Sequence, residues 1–529
     1  MPKLLSHKSS AIKKRKVRKN QERSQNRNAN RKKRLSKRGV RKYTSNGKPQ
    51  IRQNDIRKDI CPISFAHRLP HIAKTTKFVK RNVGFSVRNF LLAVIEHVAH
   101  DNIESIDVIR QSYCQKINDS IGAKSFWNRL SSDECVDFFR ETLGAVEEIH
   151  NKTASMYYYK EGVELINLLN SCGLNIKDVL IWDGTYWKLN DALSEQYPGT
   201  RTNKKEKILT NVYDEYGKEC SEDVKSAGIG LQTQMSLKTG SIKSLVLTPE
   251  VANEKNYVLI DKSVRALYLI DSGYYSHTLI ENIINNNSLF LTKGRKNCAA
   301  EILECKFWTS SRKTNVMEKD YVGLKVSDAL VLALENKQNL DLITKLANGI
   351  KVRMVAFRAK DSKTKEFKMV LLVTNIDSVQ LSPKNISNLY RVRWQCELLF
   401  KNLKSGENLT FSHISKNINI ITTFIIASLI TYFLKNIPAL FLSQLLKDVS
   451  FWKIHVKSTW FTEYLDAYIN GKIETIRKIL LFLYKNQCFA VKDRQSKSKI
   501  LEFKTLRSVL DDMHQSLTES VVQGNKMIA

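Results

Sequence analysis

The sequence predicts an α/β protein: a sheet-based core with a mainly β insertion, helical N- and C-terminal regions, and a disordered basic arm in front. Three observations predict it. Lys and Arg crowd the first 60 residues, the apolar period turns from helical to strand-like near residue 176, and helical periodicity returns near residue 386. At 529 residues the chain is too long for one simple core, so several domains are expected.

The arm comes first. Residues 1–60 hold 22 Lys or Arg and three acids, Glu22, Asp55 and Asp59, so they carry +19 of a net charge of +34. Without apolar periodicity this stretch cannot bury enough surface to offset its ordering entropy, and disorder is expected. A cationic surplus favours a polyanion, because each Lys or Arg set against a phosphate releases condensed counterions. Nucleic acid is the leading candidate, with an acidic membrane surface as the rival; for the arm itself, the rival is a solubilising or localisation tail. Nine cysteines stand singly, with no Cys-x-x-Cys pair. That pattern argues against a zinc ribbon or disulfide framework and fits a reducing, intracellular setting. The N-terminus shows no apolar signal-peptide core. The longest apolar run, Ile418–Leu434, is interrupted by Asn419, Thr422, Thr423, Ser428 and Thr431. It is short for a span of ~20 residues and reads as a buried core helix, with no membrane partner.

Residues 84–160 look helical, with apolar residues clustered over Phe90–Ile95 and recurring at three and four between Val136 and Val146. Between them, Ile106–Ile117, Gly122 and Ser125–Leu130 fit a helix-turn-helix as well as they fit ordinary helix packing. His97, His100, Cys61, His67 and His71 read as structural, not as a metal site. Val179–Trp182 is a short continuous apolar run, as in a strand buried on both faces. Ile229, Leu231, Thr233, Met235 and Leu237 alternate with Gly230, Gln232, Gln234 and Ser236, which predicts a half-buried strand. Lys238-Thr239-Gly240 turns it into a partner strand, Ser241–Leu247. A helix-like stretch near Glu254–Val264 leads to the buried strand Ala266–Ile270, a helix over His277–Ile284 and a strand at Ser288–Leu291. A three-strand meander followed by alternating elements is the arrangement of ribonuclease-H-like folds. Residues 296–374 interrupt that plan with strand candidates Lys351–Arg358 and Phe367–Thr374. From Phe411 onward the chain reads as amphipathic helices punctuated at Pro438 and Gly471. The expected domains are a basic arm (1–60), a helical DNA-binding region (61–165), the first part of the core (166–295), a β-rich insertion (296–374), a core helix (375–410) and a helical C-terminal region with possible dimer contacts (411–529).

Three acids stand out by position. Asp183 ends the strand Val179–Trp182, and Asp271 ends Ala266–Ile270. Such carboxylates are held at the carboxyl edge of a sheet, where α/β folds place ligands. Two of them side by side repel by up to about 4 kcal/mol at an effective dielectric near 20. A divalent cation removes that cost, and Mg²⁺ prefers oxygen ligands; the bland reading is that each Asp caps a turn. The third acid lies in Tyr390–Lys404, read as one helix. At about 100° per residue, Tyr390, Arg393, Glu397 and Lys404 share one stripe. Glu397 can then complete a metal site while Arg393 and Lys404 face phosphate. The alternative is a surface helix with an Arg393–Glu397 pair worth ~0.2–0.5 kcal/mol.

The spacing Tyr-x2-Arg-x3-Glu-x6-Lys, filled by Tyr390, Arg393, Glu397 and Lys404, resembles the signature of the bacterial insertion-sequence-four family of DDE transposases. Asp183-Gly184-Thr185 is similar to that family's Asp-x-Thr after the first strand, and Asp271-Ser272-Gly273-Tyr274 to its Asp-x-Gly-Tyr after the fourth; Ser272 replaces the usual Arg. Thr374-Asn375-Ile376 is also similar, and the likeness spans roughly residues 85–435. The resemblance implies a ribonuclease-H-like core in which Asp183, Asp271 and Glu397 are both the catalytic residues and the ligands of two Mg²⁺ ions, with Mn²⁺ as a substitute. It implies two-metal cleavage of transposon DNA ends and strand transfer to target DNA, commonly through a hairpin-ended intermediate. By the same resemblance Tyr390, Arg393 and Lys404 are DNA-binding, the partners are terminal inverted repeats, target DNA and a second copy in a synaptic homodimer, and the setting is cytoplasmic and nucleoid-associated. Trp308 is either a stacking partner for an extruded base or an ordinary core or surface tryptophan. The rival functions are a catalytically inactive transposase-derived DNA-binding protein and a structure-selective nuclease.

Overall fold

The computed structural model describes residues 63–517, apart from 81–83, 100–104, 158–159, 214–218, 311–315, 362–363, 407–414, 446–453, 455–459 and 487–508. The basic arm, 1–60, lies outside the described residues.

Six helices open the described chain: α1 (Ile63–Thr75), α2 (Val87–Ala99), α3 (Ile106–Ile117), α4 (Ala123–Leu130), α5 (Asp133–Tyr157) and α6 (Lys160–Ser171). Their apolar faces meet around an aromatic cluster in which Phe78 stacks on Phe138 at 4.9 Å and Phe90 lies 5.6 Å from Phe126. Each such ring taken out of water is worth roughly 1.5–3 kcal/mol, which is ample to hold short helices that would not persist alone.

The sheet follows. Its strands are β1 (Asp178–Lys188), β2 (Pro198–Tyr213), β3 (Glu219–Ser236), β4 (Ile242–Pro249), β5 (Ala266–Ile270), β6 (Leu289–Lys293), β7 (Glu301–Ser310), β8 (Gln338–Lys345), β9 (Lys351–Lys360) and β10 (Phe367–Thr374). They form one ten-stranded sheet in the order β2-β3-β1-β5-β6-β10-β9-β8-β7, with β4 also on β3. β3 runs antiparallel to β1 and β4, whereas β1, β5 and β6 are mutually parallel. Helix α7 (His277–Asn285) makes the crossover from β5 to β6, and α8 (Val326–Glu335) joins the strands of the insertion. Trp182, Tyr268, Phe290, Ile283, Leu330 and Met354 belong to one continuous core beneath these elements.

Four expectations need correction. The strand at 229–237 is not half-buried: Gln232, Thr233, Gln234 and Ser236 are all buried, because β1 and β4 flank it and both its faces are covered. The helix-like stretch after Glu254 is only a 3₁₀ turn, Glu254–Tyr257, since its polar side chains make local turns instead of an apolar stripe. Asp183 does not end its strand: β1 runs on through it to Lys188, because residues 183–188 keep pairing with β3. The insertion's β10 pairs antiparallel with β6 and so continues the central sheet. Pro438 does not punctuate the C-terminal helices, because it lies inside α11 (Ile418–Leu445). That helix is apolar and long enough to cross a membrane over Ile418–Leu442, yet it is buried throughout by protein, packed on α5 and α2. Helices α9 (Pro383–Tyr390), α10 (Trp394–Gly406), α12 (Phe461–Ile469) and α13 (Ile473–Asn486) complete the described elements named here.

Thr374 and Asn375 set the entry to the last part of the site. Thr374 Oγ1 donates to the Phe290 carbonyl at 2.6 Å, while Asn375 accepts from the Phe290 N–H at 2.9 Å and donates to the Ser288 carbonyl at 3.0 Å. These bonds fix β10 to β6 where the chain leaves the sheet for α9.

Candidate active site

Residues Val179–Asp183 of β1 are buried, as are all five residues of β5. The parallel register pairs Trp182 with Ile270. The next residues are Asp183, still inside β1, and Asp271, just past the end of β5, so the two lie on adjacent strands about one strand spacing, ~4.8 Å, apart. Asp183 accepts the Gly184 N–H at 2.9 Å, and Thr233 Oγ1 donates to its carbonyl at 3.2 Å. Asp271 precedes the 3₁₀ turn Ser272–Tyr274, which swings the chain off the sheet.

The expected single helix from Tyr390 to Lys404 is two helices joined by a 3₁₀ turn, Arg391–Arg393. In a 3₁₀ turn residues three apart eclipse. Arg393 is thereby brought over Tyr390, its guanidinium carbon 6.0 Å from the ring centre. Glu397 sits in the first turn of α10, still four residues from Arg393. Lys404 does not project as a free point charge; its Nζ donates to the Tyr186 carbonyl of β1 at 3.1 Å, and burial lowers its pKa.

Arg393 is the centre of the arrangement. Its guanidinium donates to Asp183, meets Glu397 at 2.5 Å and lies 3.7 Å from Asp271. One cation thus touches all three acids that stood out in the sequence. The Asp183 side chain is 10% exposed, against 35% for Asp271 and 31% for Glu397, so the cluster is walled on one side and open on the other. Three carboxylates face one guanidinium, and the electrostatics show the deficit. Burial pushes the Asp183 carboxyl up to about 7; Arg393 opposes this, and Asp271 and Glu397 add to it. Burial also raises Glu397, with Arg393 again opposing. Burial disfavours the charge on Arg393, but Asp183, Tyr390, Asp271 and Glu397 outweigh it and hold its pKa above the ordinary value. Burial, again partly opposed by Arg393, raises the Tyr390 hydroxyl.

A pH dependence follows. Folded Asp183 keeps its proton to about 7, whereas an unfolded Asp loses it near 3.9. Between those values the native state binds more protons, so this group's contribution to stability falls as pH rises. In EDTA, Asp183→Asn is expected to gain on the wild type between pH 5 and pH 8, as read from urea denaturation at each. A difference that stays constant across that range would contradict the assignment.

The donor set suits a hard divalent cation: carboxylate oxygens from the middle of one strand, the end of its neighbour and a helix, carrying more negative charge than Arg393 offsets. Among the described residues no three His, Cys, Asp or Glu side chains already stand close enough to enclose an ion. Arg393 stands between them.

With this geometry in view, comparison with known proteins shows what the chain resembles. Residues 175–434 match the family described as the transposase DDE domain. The matched stretch runs from the turn before β1 into α11 and contains Asp183, Asp271, Arg393 and Glu397. A transposase for insertion sequence element IS1151 from Clostridium perfringens is 20% identical over 362 residues, covering 63% of this chain and 70% of that protein. The comparisons support a transposase.

Sequence reasoning missed several residues of the candidate site's immediate surroundings. Tyr186, Gln232, Glu254 and Tyr274 form a polar chain beside the two aspartates, buried at Gln232 and Tyr274 and half-buried at Tyr186 and Glu254. The only signal was the placement of Gln232 in an apolar strand opposite Gly184. Trp308 is tied to the sheet instead of being presented to a ligand: Nε1 donates to the Ala356 carbonyl at 3.3 Å, and its ring meets Phe357 edge-on.

Proposed function

We propose that the protein is an active transposase that cleaves transposon DNA ends and transfers them to target DNA, with Asp183, Asp271 and Glu397 as the catalytic carboxylates of a ribonuclease-H-like core. The observation that carries this reading is the convergence of the three acids on Arg393. The strand order β4-β3-β1-β5-β6, an antiparallel trio followed by two parallel strands, supports the assignment of the core.

The same three residues would hold two Mg²⁺ ions, or Mn²⁺ in their place. When bound, such a pair supplies activation of a water or 3′-hydroxyl and stabilises the leaving oxygen of an in-line displacement. The protein's own part is positional. The parallel pairing of β1 with β5 keeps Asp183 and Asp271 adjacent, and α10 brings Glu397 across to them. Arg393, buried among the acids, turns outward to fork onto a DNA phosphate as the carboxylates take up cations. Tyr390 lies beneath it and limits its swing. Lys404 binds DNA less directly, pinning α10 to β1 while keeping a positive charge near the strand.

Incubating the protein with Mg²⁺ and a DNA fragment bearing the element's own ends tests the reading. Joined products support it; binding alone would leave an inactive DNA-binding protein, and cleavage without joining a nuclease. The partners are the terminal inverted repeats and target DNA, engaged by a homodimer in a synaptic complex. The basic arm supplies sequence-independent phosphate contacts. Deleting residues 1–60 is expected to flatten the dependence of binding on salt, because fewer counterions are released. An unchanged slope in a salt titration would remove the arm from the interface.

A further inference from the structure

Both motif glycines beside the catalytic aspartates pack against one hydrogen-bond chain, buried at one end and half-buried at the other. Tyr274 Oη donates to Gln232 Oε1, Gln232 Nε2 donates to Tyr186 Oη at 3.0 Å, and Tyr186 Oη donates to Glu254 Oε1. Gln232 and Tyr274 are buried. The chain runs in one direction, each polar group satisfied by the next, and ends on a carboxylate acceptor, which strengthens every bond along it. A Cβ on Gly184 would stand 2.5 Å from Gln232 Oε1 and 2.9 Å from Tyr274 Oη. A Cβ on Gly273 would stand 1.9 Å from Glu254 Oε2. Both distances are far inside contact, so glycine at each position is what lets the chain pass. Gly184 directly follows Asp183, and Gly273 lies two residues after Asp271. Lys404 Nζ joins the same assembly through the Tyr186 carbonyl, linking it to the helix of Glu397.

We propose that Gln232 and Glu254 are positioning residues for the carboxylate centre, locking the β1 segment of Asp183 to the turn that follows Asp271 through Tyr186 and Tyr274. The inference rests on the reading of Asp183, Asp271 and Glu397 as cation-binding catalytic acids. Neither Gln232 nor Glu254 touches the reacting atoms. Their effect is to narrow the positions the two carboxylates sample, so that they meet a cation already arranged. Loss of such outer partners costs about 10- to 100-fold in metal affinity.

The experiment uses the full-length protein with Tb³⁺ as a luminescent probe of cation binding and Mn²⁺ as the cation in cleavage of a DNA fragment carrying the element's ends. Gln232→Leu and Glu254→Ala are expected to weaken Tb³⁺ binding about tenfold and to raise half-saturating Mn²⁺ by a similar factor. DNA-end binding in EDTA is expected to stay at the wild-type level. Glu254→Gln, which still accepts the Tyr186 hydroxyl, is expected to recover Tb³⁺ affinity to within about threefold. If Gln232→Leu does not fold, Tyr186→Phe removes a single hydroxyl from the chain and carries the same expectation. Wild-type Tb³⁺ affinity in the folded variants would overturn the proposal, as would equal losses in Glu254→Ala and Glu254→Gln. Asp183→Asn separates the two readings. Wild-type Tb³⁺ binding in that variant refutes the centre itself, whereas loss there with full binding in Gln232→Leu and Glu254→Ala refutes only the positioning role.

Discussion

Asp183→Asn, Asp271→Asn and Glu397→Gln are each expected to reduce Mg²⁺-dependent cleavage by at least about 10³-fold while leaving binding to DNA ends within a few-fold of wild type. The substitutions are nearly isosteric and keep the hydrogen-bonding capacity of the side chain, so the fold survives. What each removes is one negative charge from a set of three that meets at Arg393. A centre with two carboxylates and a guanidinium attracts a divalent cation far less strongly, and the remaining ligands cannot close around it. The losses should also be non-additive, since any one of them disables the same step. Gel-shift binding in EDTA alongside cleavage in Mg²⁺ separates the two effects. Full cleavage by any single variant would remove that residue from the chemistry.

The largest effect on stability is expected from Arg353→Leu. Arg353 is buried, grips Asp341 with two bonds of 2.8 Å, and donates to the Leu381 carbonyl at 2.7 Å and the Ile376 carbonyl at 3.3 Å. Removing it strands a buried carboxylate and two carbonyls. Breaking one side of such a pair costs roughly 3–5 kcal/mol, whereas replacing both partners by apolar residues is often close to neutral. Chemical denaturation of Arg353→Leu and of the double variant Arg353→Leu/Asp341→Leu is the check; the double variant is expected to recover much of the loss. Equal stability of the single variant and wild type would show the pair to be incidental. Arg353 holds the loop from β10 into α9, directly upstream of Arg393 and Glu397, so Arg353→Leu should also lower cleavage.

Some of this architecture was legible in single residues. Asp183 and Asp271 follow continuous apolar runs, which marks both as carried by buried strands, although β1 runs on past Asp183 to Lys188 and only β5 stops short of its carboxylate. Arg393 and Glu397 stand four apart, a spacing that survives the 3₁₀ turn because the pair straddles it only at one end. Other readings failed for local reasons. Pro438 looked like a stop, but its cost is absorbed where neighbouring helices cover α11 on every side. Gln232 looked like a solvent-facing residue, because alternation cannot tell a polar face toward water from one closed by strands and turns on both sides.

By itself the sequence determined which residues are available: a basic arm, two acids that follow apolar strand-like runs, a third in a helix, and a cation four residues from the last of them. Such features are local, written in periods of two and 3.6 and in charge, and they hold however the chain is folded. Only the tertiary structure decided that the acids meet at one guanidinium, that Lys404 binds a strand carbonyl, and that Gln232 and Glu254 stand behind the aspartates. Those facts depend on strand register and on contacts between residues tens to hundreds of positions apart, where a shift of one residue reverses which face a side chain occupies.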